Sequence, residues 1–522
     1  MTTRTMLTAT VAVLAAGGTL AACGGSGGGG GGGGAASHTL RTAFSADPSP
    51  LDPDTYYEAE GLAITLSAYD RLLKYGNQTT DLQPDLATKW TMSKDGLTYT
   101  FTLRSGVKFS DGTPFDSAAA KASLERRTAL KGGPAYMLAD VKQITTPSPS
   151  QLVVVLKRPR ASFLSLLASP YAPMMTSPTA IKAHEVNGDH ASKWLATHTA
   201  GTGPYVLSSV QPSVRYVLTA NPNYWGTKPW YTTVNIAVLP SFSTQRLQLE
   251  GGQLDLVLHG LSTQDVTALA KNPKVQVKNF PALFKAELMM NPASPTLGSP
   301  AARAALRAAL DNTAITKDIY NERAVPSKDV LPAGMLPDGA APDVPQLDPA
   351  KLAAVLAPMK GKSVVIGWYS DGAMQRLADK LQVQLQGLGL KATTREYKPA
   401  LLFTLPTKPK DRPDVLATVW NPDSGHPNTF PPVYWEKGAA VNLLGCSDPT
   451  GDRLINRSDA TADPATSQRL TIQAMAAYRA SNCWLNISDV RDTIVGAANL
   501  TGWDHENPWV FMTNFATLKP RG

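Results

Sequence analysis

The sequence predicts an α/β fold divided into two or three domains, on three observations. Of its 522 residues, roughly 490 remain once an N-terminal leader is set aside, too many for one hydrophobic core. Residues 364–397 read as strand, amphipathic helix and strand in succession, the βαβ order of a parallel sheet. The first third instead sets short alternating runs between turns, which predicts a mixed region rich in strands. Such a chain has room for a large cleft between domains.

Taken in order, the leader comes first. Arg4 precedes residues 6–20, an apolar stretch about half the length needed for a ~30 Å bilayer core, so it reads as a secretory signal and not a membrane span. Leu20-Ala21-Ala22-Cys23 resembles a bacterial lipobox. That resemblance implies a diacylglycerol thioether on Cys23, which would become the mature N-terminus; a plain signal peptide with a chance cysteine is the other reading. Two or three acyl chains on one residue anchor stably. The following Gly24, Gly25, Ser26 and the glycines of 27–34 cannot pack a core, and a flexible coil of roughly 14 residues reaches about 20 Å.

Thr39–Phe44 is strand-like and runs into the turn-rich Asp47-Pro48-Ser49-Pro50-Leu51-Asp52-Pro53. In Thr98–Leu103, Tyr99, Phe101 and Leu103 alternate with threonines, the pattern of a half-buried strand entered by the Asp95-Gly96 turn; residues 107–109 are expected to continue that sheet. Residues 152–156 form a continuous apolar run, a candidate buried strand. Residues 301–320 place Leu306, Leu310, Ile315 and Ile319 on one helical stripe, with Arg303 and Arg307 marking the wet side. Asp348-Pro349 and Asp463-Pro464 each read as an N-cap with proline at the first helical position. After the strand at 364–369, Met374, Leu377, Leu381, Leu385 and Leu388 make a helical stripe ended by Gly387 and Gly389, and Lys391–Tyr397 is the next strand. Residues 415–419 form one more short buried strand, leaving at Trp420-Asn421-Pro422-Asp423. Loops at the carboxyl ends of such strands are where open α/β sheets bind ligands.

Composition narrows the function classes. With 43% hydrophobic and 17% charged residues the chain is globular, and no apolar run after the leader reaches membrane-spanning length. The formal charge is +8, but Lys and Arg are scattered without a basic arm or nucleic-acid module, so nucleic acid is not an expected partner. Apart from Cys23 there are Cys446 and Cys483, an isolated pair for which an oxidising exterior favours a disulfide over two free thiols. Their spacing excludes a CxxC redox or zinc site. Gly201-Thr202-Gly203 lacks the third glycine and helix start of a dinucleotide turn and reads as structural. Gly361-Lys362-Ser363 has Leu356 where a phosphate-binding loop needs glycine. His38, His184, His190, His198, His259, His426 and His505 include no pair at metal-ligand spacing with supporting carboxylates, and no nucleophile elbow or zinc-protease helix is present. No catalysis, cofactor or metal is expected.

One block is specific. Pro84-Asp85-Leu86-Ala87 with Trp90, followed by the run from Asp95-Gly96-Leu97-Thr98-Tyr99 through Gly106-Val107-Lys108-Phe109-Ser110-Asp111-Gly112-Thr113-Pro114-Phe115, resembles the hallmark of the bacterial extracellular solute-binding proteins of family 5. These are the dipeptide, oligopeptide and nickel receptors of ABC importers. Gly201-Thr202-Gly203-Pro204-Tyr205, Asn221-Pro222-Asn223-Tyr224-Trp225-Gly226, the helix from Ala301, residues 420–427 and 463–478 continue the resemblance over essentially the whole mature chain. Asp116-Ser117-Ala118-Ala119-Ala120 departs from it by lacking the acidic residue often found before the next helix, which leaves the capping of that helix in question.

The resemblance implies a periplasmic-binding-protein-like fold of class II, cluster C: two lobes around a ligand cleft, a hinge of two crossover segments, and a small α+β domain inserted in lobe one. It implies a signal peptide at 1–22, a lipidated tether at 23–37, a discontinuous lobe one at 38–84, 196–280 and 490–522, an inserted domain at 85–195 and lobe two at 281–489. The crossovers are expected near 276–291 and 486–495. In peptide-binding members the aspartate at the place of Asp423 pairs with the ligand's α-ammonium; a turn cap beside Pro422 is the alternative role. Trp420 and Asn421 would line the same wall, or Trp420 would be core. Ser45, Ala46 and Asp47 would face the cleft from lobe one, and Trp368 and Tyr369 would stack on ligand or pack in the core. Arg376 would meet a ligand carboxylate or solvent.

The expected function is a lipid-anchored extracellular receptor, monomeric, that closes its lobes on a peptide or similar amine-bearing solute and delivers it to ABC permease subunits. A non-transporting envelope sensor of the same fold is the alternative, and a secreted hydrolase a more distant one.

Overall fold

A computed structural model describes residues 38–48, 50–335, 354–369 and 372–521. The lipobox with Cys23, the glycine tether and the Asp348-Pro349 helix start lie outside the described residues.

Strand β1 (Thr39–Phe44) opens the chain. A second group follows: β2 (Ala87–Met92), β3 (Thr98–Leu103), helix α1 (Ser117–Leu130), β4 (Val141–Ser148) and β5 (Gln151–Leu156). The chain then returns to the first group with β6 (Tyr205–Gln211), β7 (Arg215–Ala220) and β8 (Thr233–Val238). The first sheet has order β1-β8-β7-β6, with β1 and β8 parallel. The second, fully antiparallel, has order β2-β3-β5-β4.

The expected half-buried β3 is seen: Tyr99, Phe101 and Leu103 face the core and the threonines do not. Residues 107–109 do not continue the sheet. Lys108 makes a single bridge to Pro114, because the Gly106 and Gly112 turns, both at positive φ, fold the segment back on itself. β5 alternates buried and half-buried residues instead of being covered on both faces. Helix α1 has its cap after all. Asp116 itself accepts from the Ala119 backbone N–H at 2.9 Å, so the helix is capped without the missing acid. Gly201 is structural, as expected: a Cβ there would fall 2.2 Å from the Ala68 carbonyl oxygen.

The third sheet has seven strands: β9 (Leu256–Val257), β10 (Val275–Met290), β11 (Ala324–Pro326), β12 (Ser363–Tyr369), β13 (Lys391–Tyr397), β14 (Val415–Trp420) and β15 (Trp484–Ala497). Its order is β9-β15-β10-β14-β12-β13, with β11 also on β15. Helices α2 (Pro300–Ala309), α3 (Asn312–Tyr320) and α4 (Gly372–Gly387) cover one face, and α5 (Pro464–Ser481) follows β14. The βαβ unit is right in detail. β12 and β13 pair in parallel around α4, whose Met374, Leu377, Leu381 and Leu385 are buried against Val364 and Ile366. Asp463 caps α5 with Pro464 at its first position.

Residues 301–320 are two helices, not one. Asp311 accepts from the Ala314 N–H at 2.9 Å and so starts α3, breaking the stripe at Leu310. Arg303 and Arg307 are not the wet side either. Arg303 is buried and donates to the Gly298 and Ser481 carbonyls, and Arg307 to that of Arg479. The last carbonyls of α5 have no intrahelical partners and attract cations, which the apolar period alone does not reveal.

β10 and β15 pair with each other along their length and pass between two cores. At one end Ala286, Leu288, Met290, Leu485 and Ile487 join the α2–α4 core; at the other, Phe280 and Ile494 join the core of the first sheet. The pairing is interrupted between Phe280 and Phe284, where 281–283 stand opposite Arg491 alone. Cys446 and Cys483 form a disulfide, Cα atoms 5.6 Å apart, beneath a third core built from Trp435, Tyr478 and Trp484.

Candidate functional site

β14 delivers the site. Its first four residues are buried; all pair with β10, and 415–417 pair with β12 on the other side. Pro422 cannot donate to a ladder, so the chain leaves the sheet there. Ser424 and Gly425 then dock: the Gly425 N–H donates to the Tyr75 hydroxyl at 2.9 Å, and a Cβ on Gly425 would meet Thr80 at 2.7 Å.

This turn places the buried Asp423 among four phenols, Tyr171 and Tyr434 buried, Tyr136 half-buried and Tyr57 exposed. Tyr57 and Tyr136 both donate to its Oδ2. Tyr57 packs edge-on against Tyr171, ring centroids 4.9 Å apart. Tyr434 donates to the Asn421 carbonyl at 2.7 Å and tilts against Trp420 at 5.5 Å. Burial pushes the Asp423 carboxyl above its usual range, opposed by the two phenol hydrogen bonds. Burial, and then the Asp423 charge, pushes the four phenols up, so they remain donors at any physiological pH. Oδ1 accepts no hydrogen bond from the described residues, which leaves one face of the carboxylate for a donor supplied from outside.

The loop bearing Tyr57 is held by buried charge. Arg126 binds Asp52 at 2.7 Å and Asp54 at 2.6 Å, and Arg127 binds Asp54 at 2.6 Å, all four side chains nearly or wholly inaccessible. Both guanidiniums sit near the end of α1 and also donate to backbone carbonyls, Arg127 to Tyr171 and Ala172. Such fully satisfied networks fix geometry.

The expected site residues divide. Asp423, Asn421, Trp420 and Tyr369 lie together, Tyr369 and Trp420 stacked at 6.3 Å. Trp368 points the other way, against the α2–α4 core. Ser45 donates through its backbone and hydroxyl to Glu60, which pairs with His259 at 2.8 Å. Ala46 is exposed. Asp47 takes the Ser213 N–H and the Tyr216 hydroxyl, so its carboxylate anchors the β6–β7 turn and does not join the Asp423 group. His259, Phe284, Val419 and Phe511 line a cavity of about 490 Å³ beside the β10–β15 ribbon, with exposed Arg376 at its rim. Sequence reasoning missed Tyr57, Tyr136, Tyr171 and Tyr434, which have no local signature. Among the described residues no group of three or more His, Cys, Asp or Glu is arranged for a metal, and no helix is long and apolar enough to cross a membrane.

Residues 81–442 match the family described as bacterial extracellular solute-binding proteins, family 5 Middle. A probable D,D-dipeptide-binding periplasmic protein of Escherichia coli K12 is 29% identical over 440 residues, 81% of this chain and 83% of that protein. The nickel-binding periplasmic protein of the same organism is 30% identical over 62% of this chain and 61% of its own length. Among solved structures, the substrate-binding protein CtaP from Listeria monocytogenes superposes with a TM-score of 0.83 at 18% identity, over 93% of this chain and 99% of that one. A dipeptide-binding protein from Pseudoalteromonas in complex with Met-Leu gives 0.76 at 20% identity, over 92% and 100%.

Proposed function

The chain belongs to the bacterial extracellular solute-binding proteins of family 5, and on that premise we propose that it captures a peptide or similar amine-bearing solute by closing two lobes and delivers it to an ABC permease. It is a binding protein and not an enzyme. The observation that supports an amine-bearing ligand is Asp423: a buried carboxylate with two phenols on Oδ2 and, among the described residues, nothing on Oδ1. A ligand ammonium at Oδ1 would gain a charge-assisted hydrogen bond of about 1.5–3 kcal/mol. The phenols complete the carboxylate's shell, and the aromatic wall of Tyr369, Trp420 and Tyr434 offers rings to a side chain. Relatives that bind dipeptides agree with a ligand of this size.

Closure would use the β10–β15 ribbon as the hinge, with the lobe boundaries expected from the sequence on either side of it. Cys23 would hold the receptor on the outer membrane face through its lipid, the glycines giving the body reach toward the permease. A Cys23→Ser chain that still fractionates with membranes would exclude that anchor.

Calorimetric titration tests the ligand reading. Asp423→Ala is expected to weaken a dipeptide with a free N-terminus by about 10- to 100-fold and its N-acetylated form little. Equal loss for both would overturn the ammonium assignment.

A further inference from the structure

The central strands of the third sheet carry a polar patch that neither their ladder nor the ammonium reading accounts for. On β10, Glu287 stands opposite Thr418 of β14 and Asn486 of β15; two residues earlier Lys285 stands opposite Trp420 and Asp489. Alternation puts Lys285 and Glu287 on one face. It is the face from which Leu283, Met289 and Leu416 pack toward Tyr434 and Trp435, while Ala286, Leu288 and Ala417 point to the opposite core.

Hydrogen-bond accounting on this face does not close. Lys285 is taken by Asp489 at 2.7 Å and by the Ser327 hydroxyl. Glu287 is wholly buried, and neither of its carboxyl oxygens has a partner among the described residues. The neighbouring Asn486 Oδ1 and Trp420 Nε1 are buried and unpartnered as well. Buried polar groups in native structures are nearly always satisfied, so such a cluster calls for a missing partner. Three acceptor oxygens face one donor. The partner that balances them is rich in N–H: an ammonium offers three donors and a guanidinium five, whereas a carboxylate offers none and would be repelled by Glu287. Trp420 Nε1 is left for a ligand carbonyl.

The patch adjoins the Asp423 group. Trp420 belongs to both, and the Tyr434 ring, 5.5 Å from Trp420, feels the charges of both Asp423 and Glu287. Burial raises the Glu287 carboxyl to about 8 even against the pull of Lys285, so without ligand it is mostly protonated at neutral pH.

We propose that the solute carries a second cationic group beside its α-ammonium, as in a lysyl or arginyl peptide, and that Glu287, with Asn486, receives it. This rests on Asp423 binding the ammonium, and the test separates the two. Full-length protein is titrated calorimetrically with Ala-Lys and Lys-Ala and with their uncharged counterparts Ala-norleucine and norleucine-Ala. At least one lysyl peptide is expected to bind about tenfold or more tightly than its norleucine partner. Glu287→Gln, close in shape, should erase that preference while leaving the norleucine affinity within about twofold; Asp423→Ala should weaken both members of a pair alike.

Titration in buffers of different ionisation enthalpy adds a readout on the unaltered protein. The lysyl peptide should release close to one proton at pH 7 as Glu287 ionises, and the norleucine peptide none. Equal affinities within both pairs, a preference that survives Glu287→Gln, or no difference in proton release overturns the proposal. Loss of the preference in Glu287→Gln with Asp423→Ala harmless would sink only the ammonium reading. If no dipeptide binds, cadaverine decides: stabilisation of the unaltered protein but not of Glu287→Gln supports the site, and no shift overturns it.

Discussion

The Tyr57 hydroxyl donates to the Asp423 carboxylate across 366 residues of chain, joining a loop packed by the first sheet's core to the end of β14 in the third sheet. Tyr136 makes the same bond from 287 residues away. These two contacts tie the cores together at the buried acid that would greet the α-ammonium.

Removing both should loosen that tie. Tyr57→Phe/Tyr136→Phe deletes two hydrogen bonds to a charged acceptor, each contributing about 1.5–3 kcal/mol. The ligand-free double variant is expected to scatter X-rays as a larger particle than the parent. An unchanged radius of gyration would show that the phenols do not hold the lobes together.

Asp54→Ala is expected to act on both stability and binding. It strands the buried Arg127 guanidinium, a change that costs about 3–5 kcal/mol, leaves Arg126 with Asp52 alone, and releases the loop that carries Tyr57. Urea unfolding should show the loss, and peptide affinity should fall with it. A stable Asp54→Ala protein with full affinity would mean the Arg126 and Arg127 network does not set the loop.

The disulfide closes a loop of 37 residues' separation. Chain-entropy reasoning gives about 4 kcal/mol for such a loop, so Cys446→Ala/Cys483→Ala should lower the urea midpoint markedly. Because the two cysteines lie beside Trp435, Tyr478 and Trp484, tryptophan fluorescence can follow the change directly.

Glu287 predicts an inverted pH dependence. Its carboxyl is raised from the usual 4.5 to about 8 in the folded protein, so between those values the folded state holds a proton the unfolded chain has released. Stability from this group is complete below about pH 4.5 and is lost as pH rises toward 8, at up to about 1.4 kcal/mol per pH unit. Glu287→Gln should flatten the fall measured by denaturant unfolding of ligand-free protein from pH 5 to 8. An identical slope in the variant would mean that Glu287 keeps an ordinary carboxyl.

Local signals explain what the sequence disclosed. The βαβ unit was legible because Val364, Ile366, Leu377 and Leu381 obey their periods without interruption. The break between α2 and α3 was not, because Asp311, one polar residue in an apolar stripe, outweighs the period by capping a new helix. Asp47 and Asp423 both follow strands, and nothing local separates them: one anchors a hairpin turn, the other meets three tyrosines from distant segments and Tyr434 from the one that follows. Glu287 did have a signal, a charged pair with Lys285 inside the apolar run ending at Met290. Only the tertiary structure shows that Lys285 is already engaged.

The interruption in the β10–β15 ladder between Phe280 and Phe284 has a mechanical meaning. Pro281 has no N–H to contribute, and 281–283 lack a matching stretch on β15. A ribbon flexed at this spot disturbs the ladder least, because its register is already broken there. The rigid pairing on either side would then turn as two levers about a slack joint, so the work of opening would fall on the contacts at the far side of the cleft, the phenols on Asp423 among them.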